Sequence, residues 1–495
     1  MSGPDLSRLV DETAPDDAPA LTFFGGDAST AITLTYGDLQ ARVTTVAAVL
    51  QHKGLPAGAA IGILAENQLA HFIAYLGIQR GGYVAVPINQ KLGEGGILHI
   101  LEDAGIHLCF TDMVNGALLP PNVETVLIDG AEIDLPLVPD TWTPFSPKTD
   151  HWATIMYTSG STGTPKGVPI THAGYRWAME RFEFLRPVIT SGPTFVAAPL
   201  YHMNAQFHLK SILMVGGHAV LLPRFEATLA WAALDAFDLA RLTGVPTMFE
   251  LLLRERPAAK ITSVQSIGVG SAPLSETLLK RLEGAFPNAV ISNGYGTTEI
   301  GPAVFGPHPD GRPTPPLSIG YPMAGVEIRL VDGEGPDQGT LLVKTGMQTP
   351  GYLHRPDLNE KAFEDGWYNT RDVMRCDEDG FFYFDSRSDD MFVCGGENIF
   401  PGEVETRLLS HPLVEEAAVV PLPDSVKGAL PVAFVIVQSP TSEEGLKQHT
   451  LALGPAYAHP RYIAFLDAMP LNGVNKVDKK KLTALAEEQF GGLRA

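Results

Sequence analysis

Short apolar runs alternate with helical spacing over most of the chain. Residues 60–64, 83–87, 194–198 and 219–222 are apolar and β-branched enough to read as buried strands. Residues 69–79 between the first two read as a helix. Strand, helix, strand in sequence predicts βαβ units and mostly parallel sheets. From about Gly320 the texture changes. Residues 326–331 alternate apolar and polar with period two, and residues 340–344 and 380–384 do likewise, with Gly and Asp turns between. That predicts a small antiparallel β module closing a larger α/β body. A helix over residues 401–409, strands over 417–420 and 432–437, and a lysine-rich tail over 475–481 follow. The predicted fold class is therefore α/β. A large N-terminal domain, residues 1–388, holds parallel-sheet subdomains and the β module. A small α+β C-terminal domain, residues 389–495, begins at the Asp389-Asp390 pair.

Composition sharpens this. The chain has 495 residues, 45% hydrophobic and 18% charged, which suits a sizeable core and excludes a disordered chain. The net charge of −21 repels phosphate backbones, so nucleic acid is not an expected partner. A local anion pocket remains open, because it needs only a few residues and backbone N–H groups. Cys109, Cys376 and Cys394 are too few and too far apart for a disulfide framework or a zinc cluster, and read as thiols in a reducing compartment. The acidic N-terminus lacks an apolar segment, and no run approaches the ~20 apolar residues of a membrane span. The expected location is the cytoplasm. The assembly stays open, a homodimer being one candidate.

The stretch 157–167 packs five Ser/Thr hydroxyls, three glycines and Lys166 into eleven residues. Glycines let backbone N–H groups approach an anion, hydroxyls donate further hydrogen bonds, and the lysine adds charge. That is a recipe for holding a polyphosphate. Pro165 stands where a Walker loop needs glycine before the lysine, so this is a different cradle. In the stretch 292–299, Tyr295 between two glycines offers a flat face for a base. Thr298 is placed to bond a phosphate oxygen, and Glu299 to hold Mg²⁺ directly or through water. Asp372 suits a ribose diol, and Arg387 the same sugar or a phosphate.

These segments together, five motifs in order from about Thr35 to Lys476, resemble the adenylate-forming superfamily of acyl-CoA synthetases, luciferase-like enzymes and adenylation domains. The resemblance implies ATP, Mg²⁺ and an acyl-adenylate. It puts the phosphate loop on Thr158, Ser159, Gly160, Ser161, Thr162, Gly163, Thr164 and Lys166. Adenine contacts fall on Ser271, Ala272, Pro273, Asn293, Gly294 and Tyr295, with Gly296 and Thr297 continuing the nucleotide site. Thr298 falls on the adenylate phosphate, Glu299 on the metal, Asp372 and Arg387 on the ribose, Asp389 on the hinge and Lys476 on the mobile catalytic lysine. Lys166 joins Thr298, Glu299 and Lys476 as a catalytic group. Two positions depart from the family pattern: Ser386 and Asn475 stand where glycine usually precedes Arg387 and Lys476. The lysines at 479–481 read as a solvated helical face.

Three readings compete within that family. They are a carboxylate–CoA ligase, an adenylation enzyme that loads an amino or aryl acid onto a carrier protein, and a non-catalytic nucleotide binder. Amino-acid activators usually place an aspartate after the strand ending near Pro199 to pair with the substrate ammonium. Residues 199–205 contain no carboxylate, and an unpaired buried ammonium is costly. The catalytic lysines and Glu299 are present, which disfavours the third reading. The Asp389-Asp390 pair and the Gly395-Gly396 run resemble acyl-CoA synthetases, including aryl-CoA ligases, with the glycines as a tunnel for coenzyme A. The resemblance lines the acyl pocket with His202, Met203, Thr247, Met248, Gly270 and Gly301, with Phe182 or Phe184 as additions. That lining suits an aromatic or medium-chain acid better than acetate or a dicarboxylate, with AMP and pyrophosphate as the other products.

Overall fold

The computed structural model describes every residue except 1–5, 12, 137–141, 160–163, 389, 395–396, 425, 473–475 and 494–495. Two seven-stranded sheets form most of it. The first runs Val290–Gly294, Ser266–Gly270, Arg241–Gly244, Thr194–Val196, Ala219–Leu221, Pro19–Phe23 and Ile32–Thr35, parallel except for the last pair. The second runs Glu132–Ile133, Glu124–Asp129, Leu108–Thr111, Ala60–Leu64, Val84–Pro87, Trp152–Ser159 and Pro165–Thr171. Its centre is parallel and both its edges are antiparallel.

Helix Leu69–Arg80 ties the two sheets together. Every one of its residues is buried. A helix without a polar face is stable only with protein on all sides, and this one touches strands of both sheets. Gly77 lets the neighbouring helix Tyr36–His52 approach, since a Cβ there would lie 2.5 Å from the Val46 side chain. The helix ends on Arg80, a buried cation held by the Asp11 carboxylate.

Beyond the two sheets, Glu327–Gly335, Gln338–Lys344 and Trp367–Cys376 form an antiparallel sheet. Phe363–Glu364 and Phe382–Arg387 both pair with Trp367–Cys376. This is the expected β module. The last sheet joins Glu397–Ile399, Phe392–Cys394, Gly428–Val437, Val414–Asp424 and Tyr462–Phe465. Its two faces are both covered. Val419, Ala433 and Val435 pack with Val404 and Leu408 of helix Pro401–Leu409, while Ala418, Val432 and Phe434 pack with Leu482 and Ala486 of helix Lys479–Phe490. Double coverage explains the unbroken apolar run in the long central strand. Arg254 reaches from the large body to this small one, 2.7 Å from Glu415 and 3.6 Å from Glu416. Among the described residues, no helix is long and apolar enough to cross a membrane.

Element types match the expectations, and boundaries move by a few residues. The run at 194–198 forms strand only over Thr194–Val196, and the period-two run at 326–331 extends to Gly335. One reading is corrected. Lys479 is not part of a solvated face: it pairs with Asp390 at 3.2 Å and Glu405 at 3.3 Å. Burial works against its charge, but the two carboxylates outweigh that and raise its pKa.

Candidate active site

The glycine- and hydroxyl-rich stretch sits at the turn of a β-hairpin, not between a strand and a helix. Trp152–Ser159 and Pro165–Thr171 pair antiparallel, with Thr158 opposite Lys166 and Ser159 opposite Pro165. Residues 160–163 lie outside the described structure, as do the side chain of Ser159, the hinge position Asp389 and the tunnel glycines Gly395 and Gly396. Thr164 is exposed, while the Thr158 hydroxyl is buried without a hydrogen-bond partner among the described residues.

Lys166 leads from this hairpin into a cluster around Glu299. Its ammonium lies 4.3 Å from the centre of the Tyr352 ring. The Tyr352 hydroxyl donates to Glu299 Oε1 at 2.9 Å and stands 3.5 Å from the Tyr368 hydroxyl. Burial lowers the Lys166 pKa, Glu299 opposes that, and Arg371, Arg355 and Arg387 add to it. Burial and Glu299 both push the Tyr352 hydroxyl upward. Glu299 is itself buried. Tyr352 was not legible as a site residue. Nothing at positions 350–354 signals a role, because the contact is made only when the loop carrying Tyr352 and the Glu299 turn come together.

The turn that carries Thr298 and Glu299 is tight. The Gly301 N–H donates to the Thr297 carbonyl at 2.9 Å, and Gly301 has φ +75° with Met347 packed against it. A Cβ at Gly296 would lie 2.4 Å from the Gly301 carbonyl oxygen. The glycines at 296 and 301 therefore fix the direction of Thr298 and Glu299. The Thr297 hydroxyl is buried and unpartnered among the described residues.

A second cluster forms around Asp372. Asp372 and Arg387 face each other across the antiparallel pair of Trp367–Cys376 and Phe382–Arg387. Arg387 Nη1 donates to Asp372 Oδ1 at 2.9 Å, and the Tyr295 hydroxyl donates to Oδ2 at 2.5 Å. Burial and the Asp372 charge raise the Tyr295 pKa well above its usual value, so the phenol stays protonated and donates. The Tyr295 ring meets Phe305 edge-on, 5.7 Å between centres. Ser271, at the end of strand Ser266–Gly270, has φ +67°. A non-glycine residue held there costs about 1 kcal/mol or more and is overdetermined by its surroundings. Ala272 and Pro273 continue this loop, and Asn293 Nδ2 donates to the Leu317 carbonyl at 2.9 Å.

Lys476 comes from the small C-terminal domain and faces this cluster. Its backbone is tied to Asn472, whose Oδ1 accepts from the Lys476 N–H at 3.1 Å. The side chain keeps solvent access, yet surrounding protein lowers its pKa, Arg387 adds to that, and Asp372 opposes it. The charge of Lys476 also acts on His202: burial first, then Lys476 and Lys91, depress the imidazole to about 4. His202 is the residue before helix Met203–Met214, and its ring is tilted at 60° to that of Tyr201, 4.5 Å between centres. The neutral ring is thus a wall or hydrogen-bonding group, not a cation, at neutral pH.

The acyl-pocket candidates separate. Gly270 is half-buried at the end of strand Ser266–Gly270, beside Gly294 of the edge strand. His202 and Met203 are half-buried at the helix start, and Phe182 packs edge-on against Phe207 of that helix at 5.0 Å. Thr247 is half-buried in the first turn of helix Pro246–Glu255. Met248 is a correction. It is buried with Phe249, Leu252 and Leu242 in the cluster behind the sheet, on the side opposite Gly270, because helix Pro246–Glu255 turns that face inward. Gly301 serves the turn described above. Phe184 is largely exposed. No group of three metal-ligating side chains occurs among the described residues. A single carboxylate does fit Mg²⁺ that arrives with phosphates, since this ion is commonly held by one or two carboxylates plus substrate oxygens.

Known proteins resemble this chain over most of its length. The sequence profile described as AMP-binding enzyme matches residues 10–353, and that of the AMP-binding enzyme C-terminal domain matches 403–476. The chain is 30% identical to a 2-succinylbenzoate–CoA ligase of Bacillus cereus, over 92% of this chain and 94% of that one. It is 29% identical to a feruloyl-CoA synthase of an Amycolatopsis species, over 90% and 92%. Among solved structures, it is similar to the o-succinylbenzoate CoA synthetase of Bacillus subtilis in complex with its acyl-adenylate intermediate. The TM-score there is 0.79 and the identity 27%, covering 97% of this chain and 98% of that one.

Proposed function

The chain belongs to the AMP-binding enzymes, and from that premise we propose that it is an ATP-dependent carboxylate–CoA ligase for an aromatic or medium-chain acid. The observation that carries this is Asp372 held by Arg387 at 2.9 Å and by the Tyr295 hydroxyl, with Lys476 of the small domain within their electrostatic reach. The reaction has two halves. The carboxylate oxygen attacks the α-phosphorus of ATP, pyrophosphate leaves, and an acyl-adenylate forms. The thiolate of coenzyme A then attacks the acyl carbon, and AMP leaves with the phosphoryl oxygen.

In this reading the hairpin of Thr158 and Lys166 holds the β- and γ-phosphates. Tyr295 lies along the base, while Asp372, braced by Arg387, accepts the ribose hydroxyls. Thr298 bonds the α-phosphate, and Lys476 neutralises the crowded charge between it and the acid. Glu299 would hold Mg²⁺, which supplies charge neutralisation on the phosphates. The buried site excludes water and so protects the adenylate from hydrolysis. Residues 389–495 turn about Asp389 between the two halves, and the pantetheine arm passes Gly395 and Gly396. The net charge argues against nucleic-acid partners and the cysteine usage for the cytoplasm; a homodimer is the assembly to test.

The carrier-loading alternative is disfavoured by the absence of a carboxylate at residues 199–205. Both named curated relatives are CoA ligases by description. The test is product analysis with ATP, Mg²⁺, coenzyme A and a panel of acids. AMP and pyrophosphate in equal amounts with acyl-CoA are expected. ADP as product, or transfer of amino acids to a carrier with none to coenzyme A, would refute the proposal.

A further inference from the structure

Helix Pro246–Glu255 is held in the large domain by Met248, Phe249, Leu252 and Leu253, all buried in one core cluster. Arg254, in its last turn, leaves that core and meets strand Val414–Asp424 of the small domain. One nitrogen, Nη2, lies 2.7 Å from Glu415 Oε2 and 3.6 Å from Glu416 Oε1. Neighbouring strand residues normally point to opposite faces. The register explains why both carboxylates reach one arginine. Val414 pairs with Val437 and Glu416 with Ile436, so Glu415 is an extra residue on its strand. Such a bulge re-aims the side chains beside it.

Two more charges belong to the contact. Glu250 lies one turn before Arg254 on the same helix face, is buried, and pairs with Arg281 of helix Glu276–Ala285. Three carboxylates thus face two guanidiniums. Burial raises the Glu416 pKa to about 7; Arg254 opposes that, and Glu250 and Glu415 add to it. Burial raises Glu250 as well, Arg281 opposes that, and Glu415 adds to it from across the contact. Arg254 holds the contact together, and the surplus carboxylate loosens it. The strand and Lys476 move as one body. Ala418 and Val420 of the strand pack with Leu482 and Ala486 of helix Lys479–Phe490, which begins three residues after Lys476. Lys476 in turn is within electrostatic reach of Asp372 and Arg387. A turn of the small domain that withdraws Lys476 therefore also parts Glu415 from Arg254.

We propose that Arg254 is a positioning residue for adenylate formation: its grip on Glu415 and Glu416 holds the small domain where Lys476 meets the α-phosphate, and that grip breaks before coenzyme A reacts. This rests on the ligase reading and adds to it the residues that set the balance between its two halves. Arg254 touches no substrate and acts through Lys476. The surplus carboxylate fixes the sign of a pH effect. Docked, Glu416 titrates near 7; undocked, solvent returns it toward its ordinary 4.5. The docked pose therefore binds the extra proton. Docking is strongest below pH 7 and weakens as the pH rises above it.

The test measures each half-reaction alone in the full chain: pyrophosphate release in a single turnover, and thioester formation from supplied acyl-adenylate and coenzyme A. Docking is read separately with ATP bound, by energy transfer between dyes attached after Lys280→Cys and Glu444→Cys, both exposed positions, in a Cys376→Ser background. Arg254→Met should slow adenylation about fivefold, the upper end for a partly exposed ion pair. It should also shift the transfer signal and leave thioester formation unchanged or faster. Arg254→Lys should recover part of the loss, and the exchange Arg254→Glu with Glu415→Arg should adenylate faster than Arg254→Glu alone. Glu416→Gln should act the other way at pH 8: thioester formation slows, adenylation holds, and the transfer signal no longer changes between pH 6 and 8. Equal slowing of both halves by Arg254→Met would overturn the proposal, because that marks a merely structural arginine. So would two unchanged halves in an active ligase, which would leave the ligase reading standing. Acyl-CoA formation from no acid would remove the ligase reading instead. The dyes then decide for Arg254: a shifted signal in Arg254→Met keeps its grip on the small domain, and an unshifted one overturns it.

Discussion

Lys476→Ala removes a charge that the small domain delivers to the α-phosphate. The size of the effect follows from where the ammonium stands. It faces Asp372 and Arg387, is crowded by protein, and keeps solvent access. A unit charge ~4 Å from a developing anion is worth about 4 kcal/mol at an effective dielectric of 20. Solvent access trims that to about 2–3 kcal/mol, roughly a 10²-fold loss in the adenylation rate. The assay isolates the two halves: pyrophosphate release in a single turnover, and thioester formation from supplied acyl-adenylate and coenzyme A. Lys476→Ala should slow the first and leave the second near wild type. Lys480→Ala is the control and should change neither. Intact adenylation in the Lys476 variant would refute the electrostatic role. Equal loss in both halves would show that the lysine holds the site together instead of serving one step.

Asp372→Asn keeps the side-chain shape but removes the charge that Arg387 and Tyr295 both face. Its affinity for ATP should fall by about 10²-fold, the scale of two charge-assisted hydrogen bonds, while the melting temperature changes little; ATP affinity near wild type by calorimetry would count against a ribose role. Gly77→Ala drives a Cβ to 2.5 Å from Val46, so it should destabilise by about 1–3 kcal/mol in denaturant unfolding. The double variant Gly77→Ala/Val46→Ala should recover part of that loss, and no recovery would locate the strain elsewhere. His71 and His202 are depressed to about 4 and His172 to about 3, each chiefly by burial. The unfolded chain binds protons near 6.5 while these sites do not, so stability is full above that pH and falls as pH drops toward 4. Thermal unfolding between pH 7 and 4.5 should show this decline, and His71→Gln should flatten it.

The alternation of apolar runs was sufficient for the sheets, because buried parallel strands leave an unmistakable pattern. Helix Leu69–Arg80 was visible for the same reason, though its meaning was not: an all-buried helix implies a layer on each side, and only the fold identifies the layers. The glycine-rich turn at 158–166 and the pair Asp372 and Arg387 were legible because each motif is local. Tyr352 was not, since its partner Glu299 lies 53 positions away. Met248 was misjudged for a related reason. Its neighbour Thr247 is half-buried, and one position along a helix turns a side chain by ~100°, which takes Met248 into the core.

Arg241 is the sharper case of what sequence withholds. In the chain it is an ordinary arginine before a strand-like run, and nothing local distinguishes it from the exposed Arg224 or Arg312. Its meaning comes from what fails to surround it. A surface arginine finds water or a carboxylate, as Arg312 finds Asp379 at 2.8 Å. The other buried arginine among the described residues, Arg80, is matched by Asp11. Arg241 is nearly as buried and faces an imidazole that burial keeps uncharged. A fold that matches Arg80 with a carboxylate and leaves Arg241 without one treats the two positions differently. The difference lies in location: Arg80 closes a core helix, while Arg241 opens a sheet strand and lies over Gly268 of the next strand.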